Sequence, residues 1–199
     1  VFETAVDEIG YLFFPAHYQY DFSKYLDEFS GKTRRNMARE LSRLEAQGVT
    51  WRANCLSDID FLFRMNCEAF GETSYFSDAR FLNAFEDLAR WICASGLQRV
   101  TTILVGGKIA AVDLGVLWQG SYTLLAGATN PAFPGIAKMI NLHHLEWACR
   151  QRLSVVDFLC GDFGWKERFH LSRRPLYAMG NLAPAIGFQG ECDKVAVYG

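Results

Sequence analysis

Charge of one sign, metal-ligand spacing and long apolar runs are all missing from this sequence. Its 199 residues carry a net charge of only −2 and a pI of about 6.1. No whole-molecule field therefore selects a polyanion, and any phosphate site must be a local cluster. Cys55, Cys67, Cys93, Cys149, Cys160 and Cys192 include no CxxC pair and no Cys/His ligand set. That argues against a zinc module and leaves thiols that read as reduced, in a cytoplasmic protein. No apolar run approaches the ~20 residues that a bilayer span needs. From Val1 onward there is no basic stretch leading into a long apolar one, so no signal peptide is expected. Internal repeats and low-complexity tracts are absent. No Ser/His/Asp or Cys/His constellation demands a covalent enzyme intermediate.

What is present is core-forming material. Half the residues are hydrophobic and 15% are aromatic, which argues against disorder and for one sizeable domain spanning 1–199. Tyr11 to Pro15 reads as a short strand. Asp21 caps a helix to Phe29, with Tyr25, Leu26 and Phe29 as its buried stripe. Ser30 caps a second helix to about Gln47, which Gly48 ends. Met37, Leu41 and Leu44 share one face of it; Arg35, Arg39 and Arg43 share another, with Lys32 and Arg34 at its start. Val49 to Asn54 is a strand. Ser57 and Asp58 open a helix through Phe70, and Ser77 caps another from Asp78 to Ser95. Gly71 to Phe76 lies between them as a polar, aromatic loop.

Strands take over from Arg99. Val100 to Val105 and Ile109 to Trp118 form a hairpin around Gly106-Gly107-Lys108, and Tyr122 to Ala128 follows. A Pro/Gly loop (Asn130 to Gly135) leads into a helix from Ile136 to about Arg152, then a strand from Val155 to Leu159. A charged turn with a short helix (Gly161 to Phe169) and a strand from Leu176 to Ala183 close the reading. Strand, loop, helix and strand in that order make a right-handed crossover between two parallel strands. The expected class is α/β (α+β), with a mixed sheet.

Several residues carry possible chemistry, each beside a plainer reading. Gly135 precedes a helix whose free N–H groups suit a phosphate or carboxylate, with Lys138 in the first turn; the plain reading is an ordinary βα connection. Asp162 and Lys166 stand four apart at the end of a parallel strand. Lys166 reaches into a cleft as a point charge, or joins Asp162 and Arg168 in a structural network. Lys32, Arg34, Arg35, Arg39 and Arg43 form a basic ridge, for which a solvated helix face is the commoner explanation. Asp113 sits inside an apolar strand, on one face with Ala111 and Gly115, either as a general base of raised pKa or as a hydrogen-bonded core carboxylate. His143 and His144 lie mid-helix among apolar residues and read as packed histidines. Glu72 and Tyr75, in the polar loop, are candidate acceptor-pocket residues.

Three stretches resemble the GNAT acyltransferase superfamily, in its FemAB-like, BioF2-like (CelD-like) branch. Ser30-Gly-Lys-Thr-Arg-Arg-Asn36 is similar to the branch's Ser-x-Lys-x-Arg-x-Asn helix start. Val105-Gly-Gly-Lys-Ile-Ala-Ala111 and Phe133-Pro-Gly-Ile136 resemble its hairpin and its Pro-Gly loop. Asp157-Phe-Leu-Cys-Gly-Asp162 with Trp165-Lys166, the most specific of the three, is similar to its D-F-L-x-G-D-x-x-Y-K, with Trp165 in place of Tyr. The resemblance implies a GNAT-like mixed, mostly antiparallel sheet with helices on both faces, as a single domain or one half of a tandem, and leaves a homodimer open. It implies N-acyl transfer from acetyl-CoA or another acyl-CoA to a small amine acceptor, in cell-envelope or polysaccharide synthesis, without a metal. Aminoacyl transfer from aminoacyl-tRNA ranks behind it, as does a non-catalytic ligand- or partner-binding module. The resemblance places Lys166 at the substrate cleft, favours Lys32 and Arg34 within the basic ridge and strengthens the Pro-Gly loop as a donor site. With the residue readings above, the expected donor-binding residues are Ala128, Thr129, Pro134, Gly135, Ile136, Ala137 and Lys138, the expected acceptor-binding residues are Lys32, Arg34, Glu72 and Tyr75, and the expected catalytic residues are Lys166, Asp162 and Asp113. Ala132 stands where GNAT loops usually begin with Gln or Arg.

Overall fold

The computed structural model describes residues 2–161 and 164–181. Its strands are β1 (Phe2–Phe13), β2 (Val49–Ala53), β3 (Gln98–Val105), β4 (Lys108–Trp118), β5 (Ser121–Thr129), β6 (Val155–Asp157) and β7 (Ser172–Asn181). Its α-helices are α1 (Phe22–Leu26), α2 (Gly31–Glu45), α3 (Ile59–Phe70), α4 (Ala79–Ala94), α5 (Ile136–Arg150) and α6 (Trp165–Arg168). One sheet runs in the order β2-β3-β4-β5-β6-β1-β7. Neighbours are antiparallel except β5 and β6, which the α5 crossover makes parallel.

Local chemistry sets most boundaries. Asp21 accepts a hydrogen bond from Ser23 N at the start of α1, and Ser30 accepts one from Thr33 N at the start of α2. Gly106 and Gly107 take φ of 56° and 78°, the pair of positive values that a tight hairpin turn requires. Two caps differ from expectation. Asp78, not Ser77, caps α4 by accepting from Arg80 N, while the Ser77 hydroxyl bonds the Glu72 and Ser74 carbonyls. A 3-10 turn at Leu56–Asp58 precedes α3, so Asp58 does not cap it. Its carboxylate is turned inward to Arg52 and the Thr102 hydroxyl.

β1 is the main surprise, at twelve residues rather than five. Its first half pairs with β7 beyond the core, where Val6 is 54% exposed, so no burial pattern marks it. β7 likewise begins four residues early, at Ser172; the end expected for it at Ala183, like Cys192, lies outside the described residues.

Helices cover both faces. α3 and α4 pack on Val100, Val112, Leu114, Ala126 and Ala128. The other face holds α5, with α1 and α2 against it, over Tyr11, Phe13, Tyr122, Leu124 and Phe158.

The feature that makes a site is the parting of β5 from β6. They pair only from Ser121–Thr123 to Val155–Asp157. Among the described residues β5 then runs on to Thr129 beside β4 alone, while the chain after β6 follows β1 through Phe158 N to Tyr11 O and Tyr11 N to Leu159 O. A bulge in β5 at Leu125, between the Leu114 and Gly115 pairings, bends the strand at the same level.

Candidate active-site cleft

Between the loop that follows β5, helix α2 and the α6 segment lies a cleft of ≈ 980 Å³. Ala132, Phe133, Pro134 and Gly135 form one wall with Ala137, Lys138 and Asn141 of α5. Opposite is one stripe of α2, Thr33, Met37, Glu40 and Leu44, with Gln47 just past its end and Arg43 beside it. Phe29, Trp165, Arg168 and Phe169 close the end. The volume suits a small-molecule site, and the lining mixes apolar side chains with a few polar ones.

The start of α5 gives this cleft its polarity. Gly135, the N-cap, has φ 92° and no side chain with which to cap the helix. Ile136 N bonds the Phe133 carbonyl and Met139 N bonds the Gly135 carbonyl. The Ala137 and Lys138 N–H groups find no acceptor among the described residues, and such orphan donors at a helix N-terminus favour an anion. Lys138 forms an ion pair with Glu40, tying α5 to α2. Arg43 and Arg168 line the cleft without a carboxylate partner among the described residues. The cleft thus holds three cationic side chains and one carboxylate, in a chain whose net charge is close to zero.

Lys166 is 1% exposed, below the cleft. Its ammonium donates to the carbonyls of Phe158 and Cys160, at 2.8 Å each, and lies 5.3 Å from the Tyr11 ring. It therefore ties down the segment where the chain leaves β6. Asp162, expected beside it, lies outside the described residues.

The other candidates fall in separate places. Pro134, Gly135, Ala137 and Lys138 line the cleft and Ile136 is buried behind them. Ala128 faces α3 and Thr129 ends β5. Lys32 is exposed outside the cleft; Arg34 pairs with Asp27 beside a second cleft, of ≈ 660 Å³, on the other side of α2. Glu72 and Tyr75 belong to the α3–α4 side, where Tyr75 stacks on Phe81 at 5.1 Å, and neither lines either cleft. Asp113 is 3% exposed and bonded to His144 Nε2 at 2.8 Å, beneath α5. Burial pushes its carboxyl above the usual range, against the pull of His144.

The cleft residues that the sequence did not mark as site candidates are Phe29, Asn141 and the α2 stripe with Glu40, of which Phe29, Met37 and Leu44 were read only as buried apolar positions. Thr33, Met37, Glu40, Leu44 and Gln47 recur every three or four residues, the signal by which that stripe could have been found.

A mixed sheet whose one parallel pair parts beneath a Pro-Gly helix start is the layout of an acyltransferase-type domain. A model of the acetyltransferase (GNAT) domain family matches residues 31–167, and the chain belongs to that family. No curated protein matches it. Solved structures share the fold at low identity. FemX does so at TM-score 0.65 and 10% identity, over 87% of this chain and 64% of that one. L-PGS from Bacillus licheniformis gives 0.62 and 11%, over 93% and 63%. The C-terminal domain of a putative lysylphosphatidylglycerol synthetase from Agrobacterium fabrum gives 0.59 and 12%, over 89% and 61%. The chain spans less than two thirds of each of these relatives. Among the described residues no cluster suits a metal ion, and no helix is long and apolar enough to cross a membrane.

Proposed function

We propose that this chain moves an acyl group from an acyl thioester, most simply acetyl-CoA, to an amine. The observation that carries the reading is the gap between β5 and β6 under a helix start with two unpartnered N–H groups. In this reading the donor's diphosphate rests on Gly135, Ile136, Ala137 and Lys138, with Arg43 and Arg168 answering its remaining charge. The thioester arm lies in the gap along β5, past Ala128 and Thr129. Backbone N–H groups of β5 that β6 leaves unpaired face the acyl carbonyl and stabilise its developing oxyanion. Catalysis is then mostly alignment of amine and thioester, together with removal of one ammonium proton. Lys166 holds the segment beside the gap through the Phe158 and Cys160 carbonyls.

The test is calorimetry with acetyl-CoA and longer acyl-CoAs. Binding to the parent protein is expected, and Gly135→Asp, which sets a carboxylate against the diphosphate, should abolish it while the protein still folds, at a lower melting temperature because φ of 92° strains any side chain there. A parent that binds no acyl-CoA overturns the reading. A second reading, aminoacyl transfer from aminoacyl-tRNA, draws on the fold shared with FemX and L-PGS. Amide formation that ribonuclease abolishes would select it.

A further inference from the structure

A group of buried polar atoms with no hydrogen-bond partner among the described residues lies under α5, on the sheet face that carries Asp113. They are His144 Nδ1, Tyr122 Oη, Thr101 Oγ1 and Arg99 Nε. Register brings them together. Thr101 stands opposite Asp113, and Arg99 stands opposite Gly115. A Cβ on Gly115 would fall 2.6 Å from the Tyr122 hydroxyl, so that hydroxyl lies over the glycine. The Tyr122 and His144 rings are 5.2 Å apart. His144 and Tyr122 are fully buried and Thr101 is 3% exposed. Native proteins rarely leave such atoms unpaired, and ordered water is the usual partner.

The Asp113–His144 pair has a definite chemical sense. With Nε2–H donated to the Asp113 carboxylate at 2.8 Å, the imidazole is fixed in the tautomer whose Nδ1 carries a lone pair. A carboxylate that orients a histidine so that its other nitrogen accepts a proton is the arrangement of a general base. The pair also lies close to the parted strands. Asp113 is opposite Gly127 on β5, beyond the last β5–β6 pairing at Thr123. On that face a glycine, with no side chain, is all that β5 places between Asp113 and the gap.

We propose that these atoms ring an internal hydrated chamber, and that His144, oriented by Asp113, takes the acceptor's ammonium proton through its water. The proposal rests on the acyl-transfer reading above. One ammonium N–H bond breaks, and its proton passes through water to Nδ1, leaving an imidazolium paired with Asp113. The freed nitrogen lone pair forms the C–N bond to the thioester carbonyl and the C–S bond breaks. The departing thiolate takes the second proton from nitrogen, and His144 later returns the first to solvent. Asp113 is the positioning residue. Besides it, the charged or titratable groups around His144 are Tyr122 on β5, Arg99 on β3 and His143 on α5.

The experiment uses His144→Gln, whose amide nitrogen can still donate to Asp113 while the Nδ1 lone pair is gone. Turnover with acetyl-CoA and an amine should fall ~100-fold or more, with donor affinity within twofold of the parent. The acidic limb of the pH–rate profile, which belongs to the base, should disappear. Turnover within threefold of the parent, with that limb intact, overturns the relay and leaves the acyl-transfer reading standing. A parent that neither binds nor consumes any thioester removes both. If His144→Gln does not fold, nitrogen NMR of the parent decides. A bare Nδ1 with protonated Nε2 supports the relay, and the opposite tautomer overturns it.

Discussion

His143 shows how differently two adjacent histidines can be used. His144 points into the sheet, whereas the His143 ring stacks on Trp51 at 4.0 Å and receives Arg99 Nη2 at 3.3 Å. Burial, with His144, Arg99 and Arg150 nearby, lowers its pKa from 6.5 to about 3. The unfolded chain therefore binds a proton at a higher pH than the folded one does. The stability that this neutral ring contributes is complete above pH 6.5 and declines as pH falls towards 3. The expected loss over that window is about 1–3 kcal/mol, once partial exposure is allowed for. Urea denaturation at a series of pH values should show it, and His143→Phe, which keeps the ring stack, should flatten the dependence. From the sequence these histidines read as packed, and they are. Their partners come from strands over thirty residues away, which spacing within one helix could not supply.

At the scale of elements, helices and hairpins were legible because caps and glycines act locally. Ser30, Asp21, Gly48 and Gly135 did what their side chains, or lack of them, dictate. The 3-10 turn at Leu56–Asp58 was not legible, since Asp58 is drawn inward by Arg52 and Thr102 rather than by its own helix. Lys166 is comparable. Its place in a short motif was plain, but its burial against carbonyls depends on how α6 folds back on β6. Lys166→Met leaves the Phe158 and Cys160 carbonyls without that donor, so a loss of about 2–4 kcal/mol in chemical denaturation is expected. Melting like the parent, with turnover lost, would instead make the ammonium a direct participant.

Over the whole molecule, the resemblance carried by three short motifs anticipated the family and the mixed sheet. The Pro-Gly loop, expected to hold the donor, lines the main cleft. The acceptor side was not resolved in the same way: Glu72 and Tyr75 lie on the α3–α4 layer, where Phe63, Phe76, Phe81 and Phe85 hold their loop. Aromatic residues in a polar loop gave no sign of which face they would join. The cleft's opposite wall is α2, whose arginines read from sequence as a solvated ridge. Only Arg43 of that ridge lines the main cleft.

The early parting of β5 from β6 has a spectroscopic consequence. From Leu124 to Thr129, β5 pairs with β4 on one edge and has no strand on the other among the described residues. An amide-containing pantetheine arm laid there would complete the ladder as a peptide strand does. Deuterium uptake at those β5 amides should therefore slow when a thioester binds, while amides facing β4 keep their rates. Uniform slowing throughout the sheet would instead indicate general tightening, with no ligand in the open edge.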